Sequence, residues 1–125
     1  MADLTAHAAA EHPLECCGLL AGHATTAAYE ITTRIPLTNH LKREDEFESD
    51  PAEMLKAQRG MRQAGLDWLA VYHSHPASPP VPSRKDRTRS VGESVACVIV
   101  GPHGEVRAWW LISEDEQDEA AWGGC

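Results

Sequence analysis

Missing from this 125-residue sequence is any run of 18 apolar residues, and missing from its start is a basic segment followed by an apolar one. The first absence argues against a membrane-spanning helix and the second against a secretory leader, so a soluble cytoplasmic chain with no membrane partner is expected. Positive charge is scarce: 11 Lys and Arg stand against 19 Asp and Glu, for a net charge of −8. A protein that neutralises nucleic-acid phosphates needs the opposite balance, which argues against a nucleic-acid binder. Cysteine is sparse as well. Cys16, Cys17, Cys97 and Cys125 form no CxxC pair and fall short of the density of a disulfide scaffold, so reduced thiols are expected. A Cys16–Cys97 or Cys17–Cys97 pairing stays open. No internal repeat and no linker divides the chain, and its length suits one domain that buries roughly two-thirds of its unfolded surface.

Hydrophobic patterning supplies the elements. Ala2 to about His12 is Ala-rich and predicts a helix ending before Pro13. Residues 16–21 and Tyr29–Leu37 predict paired strands joined by a 22–28 turn, with Pro36 marking an edge or a strand end. A loop over 39–49 leads to Asp50-Pro51-Ala52-Glu53, which offers an N-cap, a proline at the first helical position and a capping-box acid. The helix that follows carries Met54, Ala57, Met61 and Ala64 as its apolar stripe and ends at Gly65. Over Asp67–His75, alternation puts Leu69, Val71, His73 and His75 on one face and Trp68, Ala70, Tyr72 and Ser74 on the other. Residues 83–91 predict a short helix. Val95–Val100 and Glu105–Ile112 predict a strand pair across a Gly101–Gly104 turn, with Trp109 and Trp110 as core and rim aromatics. The acidic end, 114–125, is expected to be flexible, leaving 1–113 as the domain. This order fits an α/β fold: one mixed sheet flanked by helices.

Chemistry concentrates in one segment. His73-Ser74-His75-Pro76 is followed by Ser83 and Asp86. Residues two apart on a strand share a face, so both imidazoles can converge on one ion and Asp86 can complete the protein ligands. Two imidazoles and a carboxylate are typical of a catalytic zinc site with an open fourth position. A His-x-His pair alone is weak, but with seven Ser and seven Asp in the chain the full spacing is expected by chance only about 0.001 times. Pro76, Pro79, Pro80 and Pro82 stiffen the connection to Asp86. A rival reading makes Ser-x-x-Asp a helix-capping pattern; it explains neither histidine. His7, His12, His23, His40 and His103 lack partners at ligand spacing. Ser74 points to the opposite face and reads as structural. The basic run Arg84, Lys85, Arg87 and Arg89 reads equally as a solvated helix face or as a hold on an acidic partner.

The spacing His-x-His, seven residues, Ser, two residues, Asp resembles the signature of the JAMM or MPN-plus metallopeptidases. The likeness runs from about Glu11 to about Trp110 and includes Glu15-Cys16-Cys17-Gly18-Leu19-Leu20-Ala21-Gly22 and Phe47-Glu48-Ser49-Asp50-Pro51. The resemblance implies a single MPN-type domain with a mostly antiparallel sheet, one zinc ion per chain on His73, His75 and Asp86, Ser83 stabilising the reacting oxygen, and Glu15 as general acid/base activating zinc-bound water. Glu11 is the local alternative to Glu15, and an exposed edge residue is the plain reading of an acid before a buried strand.

Eight residues separate Asp86 from Val95, too few for the long insertion with which larger eukaryotic deubiquitinases hold ubiquitin chains. Fourteen residues precede Glu15, so the initial strand and full helix of many relatives are expected to be shortened or absent. The compact form resembles prokaryotic members that cut after the C-terminal Gly-Gly of ubiquitin-like sulfur carrier proteins. Two readings compete: a zinc amidase acting on a small molecule or peptidoglycan fragment, and a non-catalytic MPN-type interaction module. A homo-oligomer is left open. Trp122-Gly123-Gly124-Cys125 itself looks like a carrier tail, and twelve extended residues from Ser113 would reach about 40 Å, far enough to enter an active site as a substrate mimic.

Overall fold

The computed structural model describes residues 2–26, 28–39, 50–90, 95–113 and 115–122. The elements are α1 (Ala2–Glu11), β1 (Cys17–Ala24), β2 (Tyr29–Leu37), α2 (Pro51–Gln63), β3 (Asp67–Ser74), α3 (Arg84–Ser90), β4 (Ala96–Val100), β5 (Val106–Leu111) and β6 (Gln117–Ala120). The six strands form one sheet in the order β2-β1-β3-β4-β5-β6. Every neighbouring pair is antiparallel except β3 with β4, so the proline loop and α3 form the crossover between two parallel strands. Part of the expected 39–49 loop lies outside the described residues. No helix among the described residues is long and apolar enough to cross a membrane.

Each sheet face has its own core. On one side Leu4 of α1 packs with Cys16, Leu20, Tyr72, Val98 and Val100. On the other, Ala57 and Met61 of α2 pack with Cys17, Leu19 and Leu37, while Ile99, Cys97 and Trp109 form a third cluster with Val81 of the proline loop. Gly18 makes room for one of these residues, because a Cβ there would fall on the Tyr72 ring. The Tyr72 hydroxyl meets His7 Nδ1 at 2.8 Å, which accounts for one of the histidines without ligand spacing.

Four expectations need correction. The alternation along β3 breaks at Leu69: Leu20 pairs with Ala70 but Ala21 pairs with Trp68, a bulge that admits an extra residue and switches the strand's faces. Trp68 consequently packs with Val71 on the α2 side. At the other end of α2, Asp50 caps the helix by accepting the Ala52 N–H, and Gly65 follows its end with φ +70. Glu53 does not complete a capping box; its carboxylate accepts the Thr38 N–H and hydroxyl, tying α2 to the end of β2. Ala64 is the exposed C-cap rather than part of the buried stripe. Finally, Gln117–Ala120 is a strand, not a flexible end: it pairs with β5, and Arg107 clamps Glu119 through two hydrogen bonds of 2.7 and 2.8 Å. Trp122 packs against the α1-side core, so the reach of about 40 Å imagined from Ser113 falls to about 10 Å for the last three residues, which lie outside the described set.

Cys16, Cys17 and Cys97 are free and buried. Burial pushes the Cys17 thiol up to about 12 and raises Cys16 as well. At about pH 8 only ~0.01% of Cys17 would be thiolate, the reactive form. A Cys125→Ser variant should therefore release almost no chromophore from a disulfide reagent when native, and three equivalents in guanidinium chloride. Prompt native reaction of any of the three would contradict this.

Candidate metal centre

β3 and β4 run parallel, so both deliver their C-terminal ends to the same edge of the sheet. His73 is next to last in β3. His75 lies one residue past the strand, but its N–H still donates to the Val100 carbonyl at 2.8 Å, which keeps it on the ladder. Their Nε2 atoms stand 3.2 Å apart. Asp86, in the first turn of α3, brings Oδ2 to 3.2 Å from His73 Nε2 and 3.0 Å from His75 Nε2. All three side chains are buried, and among the described residues they are the group that can hold a metal.

The donors fit such an ion. Four-coordinate bonds of about 2.0–2.1 Å separate neighbouring donor atoms by about 3.3 Å, close to the triangle formed here. His75 Nδ1 lies 2.8 Å from the Pro79 carbonyl. A carbonyl can only accept, so Nδ1 carries the proton and Nε2 turns its lone pair into the cluster. Trp109 donates to the neighbouring Pro80 carbonyl at 2.9 Å, pinning the proline loop to β5. His73 Nδ1 faces the Cys97 thiol at 4.0 Å.

Electrostatics follow from this packing. Burial alone would push the Asp86 carboxyl up, but the two imidazoles and the Ser83 N–H outweigh it and hold it well below the usual carboxylate range. For His75, burial works against protonation. Asp86, the Pro79 carbonyl and the charge of Glu15 act the other way and leave its pKa above the usual value.

Ser83 and Asp86 do form the cap that their spacing allows, and Asp86 also joins the two histidines. The Asp86 N–H donates to Ser83 Oγ at 3.1 Å and the Ser83 N–H donates to Asp86 Oδ2 at 2.9 Å, a reciprocal cap that also aims Asp86 at the histidines. Ser83 is exposed, and a hydroxyl that accepts one bond keeps its own proton to donate. Glu15, just before β1, is buried at 3% exposure, which removes the plain edge-residue reading. β1 pairs with β3 so that Cys17 stands opposite His73, and this brings Glu15 to the metal end of the sheet. Arg87 donates to the Pro82 carbonyl and to Gln117, so it braces the loop, whereas Arg84 and Lys85 are exposed. Sequence reasoning missed Asn39, a buried amide that donates to the Glu15 carbonyl at 3.0 Å, and the two proline carbonyls; contacts to main-chain atoms leave no mark in residue spacing.

The family model for prokaryotic homologs of the JAB domain matches residues 1–112. The chain belongs to this family. Among its relatives, a desampylase of Pyrococcus furiosus is 37% identical over 85% of this chain and 73% of its own length. A probable TtuB-protein conjugate cleaving protease of Thermus thermophilus is 38% identical over 91% of this chain and 73% of its own length. A CysO-cysteine peptidase of Mycobacterium tuberculosis is 34% identical over 87% and 76%. The solution structure of a protein from Desulfitobacterium hafniense superposes with a TM-score of 0.85 at 32% identity, covering 96% of this chain and 84% of that one. This JAB-domain chain is accordingly an enzyme of the JAMM peptidase type. That sets aside the non-catalytic module. Ahead of Glu15 the chain carries α1, a helix of ten residues.

Proposed function

We propose that this JAB-domain enzyme hydrolyses the peptide or isopeptide bond after the C-terminal Gly-Gly of a ubiquitin-like or sulfur carrier protein, using one zinc ion per chain. The observation that carries the reading is the buried triangle of His73, His75 and Asp86 donors at the sheet edge to which β1 brings Glu15. Two imidazoles and one carboxylate are a zinc-hydrolase donor set, and zinc in such a site acts as a Lewis acid toward water and carbonyl oxygen. Glu15 takes the proton of the attacking water and returns it to the leaving amine. Its burial keeps bulk water from competing for that proton. The Ser83 O–H donates to the oxygen that gains charge as the carbonyl becomes tetrahedral. His75 and Asp86 are held by Pro79 and Ser83 before substrate arrives, so little reorganisation is needed during the reaction. The carrier class is supported by the relatives, named a desampylase, a probable TtuB-protein conjugate cleaving protease and a CysO-cysteine peptidase.

The test is a purified carrier ending in Gly-Gly and joined to a cysteine, a short peptide or a lysine side chain. Mass spectrometry should find cleavage after the second glycine, stopped by a chelator and restored by zinc. Glycine, lacking Cβ, lets the tail approach a recessed metal, while affinity comes from the folded body of the carrier. The intact conjugate should therefore outpace its isolated tail peptide. Equal turnover of the two, or cleavage at another bond, would contradict the assignment.

A further inference from the structure

Ser74, between the two ligand histidines, closes the ladder in an unusual way. Where two antiparallel residues form a hydrogen-bonded pair, each N–H normally donates to the other's carbonyl. Continuing the register of Cys17 with His73 makes Cys16 and Ser74 such a pair, and the Ser74 N–H does donate to the Cys16 carbonyl at 3.1 Å. The return bond differs. The Cys16 N–H donates to Ser74 Oγ at 2.8 Å, both groups being buried, so a side chain replaces the main-chain carbonyl. The substitution frees the backbone after Ser74 to turn toward β4, where the His75 N–H meets Val100, without releasing β1. Asn39 holds the Glu15 carbonyl from the other side at 3.0 Å.

We propose that Ser74 is a positioning residue for Glu15: by holding the Cys16 N–H it fixes the backbone carrying the carboxylate against the strand that carries the metal donors. The inference rests on reading Glu15 as the acid/base. Misplacing a reacting group by about 1 Å costs on the order of 100-fold in rate, so a neighbour that sets the backbone of Glu15 acts on kcat.

The test compares Ser74→Ala, Ser74→Thr, Glu15→Gln and the double variant Ser74→Ala/Glu15→Gln on a Gly-Gly carrier bearing a C-terminal aminocoumarin amide. Ser74→Ala should lower kcat about 10- to 100-fold, with KM within about twofold and metal content unchanged. Ser74→Thr keeps the hydroxyl oxygen that accepts from the Cys16 N–H, so it should recover the rate. The double variant should be no slower than Glu15→Gln, because both changes act through one group. Amide exchange followed by NMR supplies a readout apart from turnover: the Cys16 N–H should exchange at least about tenfold faster in Ser74→Ala and regain protection in Ser74→Thr, with Leu19 and Leu20 unchanged. Full kcat in Ser74→Ala beside a silent Glu15→Gln would overturn the inference alone, as would an unaffected Cys16 amide or a rate loss that adds to that of Glu15→Gln. A fully active Glu15→Gln would remove the acid/base reading and the inference with it.

Discussion

Glu15→Gln is expected to hold one metal ion per chain as tightly as the unaltered protein and to turn over carrier conjugates at least ~100-fold more slowly, the usual scale of general acid–base catalysis. The amide matches the carboxylate in shape, so the buried site before β1 keeps its packing. What it loses is the ability to accept a proton. Because Glu15 stands outside the triangle formed by His73, His75 and Asp86, metal content should not follow activity. Single-turnover rates paired with elemental analysis make the check. Metal lost from Glu15→Gln yet retained by His75→Ala would reverse the two roles.

His75→Ala should abolish stable metal binding, and activity with it. The change removes one of three donors and opens the loop, since Nδ1 of the same ring is bonded to the Pro79 carbonyl. The loss should exceed the 10- to 100-fold typical of removing a supporting partner. Proton competition gives the same assignment a second test. Metal requires an unprotonated imidazole, and His75 titrates above its ordinary value while Asp86 stays ionised to low pH. Acidification through the His75 titration should therefore weaken metal binding by at least about tenfold per pH unit, with the carboxylate contributing nothing to the slope. Calorimetric titration of the metal-free protein at a series of pH values reads this directly. An affinity unchanged from about pH 8 to about pH 6 would contradict it.

The clustering of His73, His75 and Asp86 was legible because side-chain chemistry and strand periodicity both write themselves into spacing. His73 and His75 need only a two-residue repeat, and Asp86 needs only a short helix after a stiff loop. The role proposed for Glu15 came through resemblance rather than periodicity, since a carboxylate before a buried strand has no local pattern that separates an edge residue from a catalytic one. The bulge at Leu69 escaped because Trp68 and Leu69 are both apolar, so neither choice of face disturbs the pattern. β6 escaped for another reason. Gln117-Asp118-Glu119-Ala120 has no apolar alternation, and its strand conformation comes from pairing with the neighbouring β5 and from Arg107, contacts that its own residue pattern does not announce. Glu53 shows the limit of local rules: a residue placed for a capping box serves Thr38 instead.

The donors of the proposed metal site all fall within residues 73–86, whereas Glu15, the proposed acid/base, adjoins Cys16, whose N–H bond to Ser74 spans 58 positions. Closing so long a loop costs entropy that local pairing does not, so contacts of this kind tend to form late in folding. A nascent chain in which β3 and α3 have met but β1 has not docked has the three clustered donors and lacks Glu15, the proposed proton carrier. On the proposed roles, the docking of β1 is then also the step that arms the enzyme.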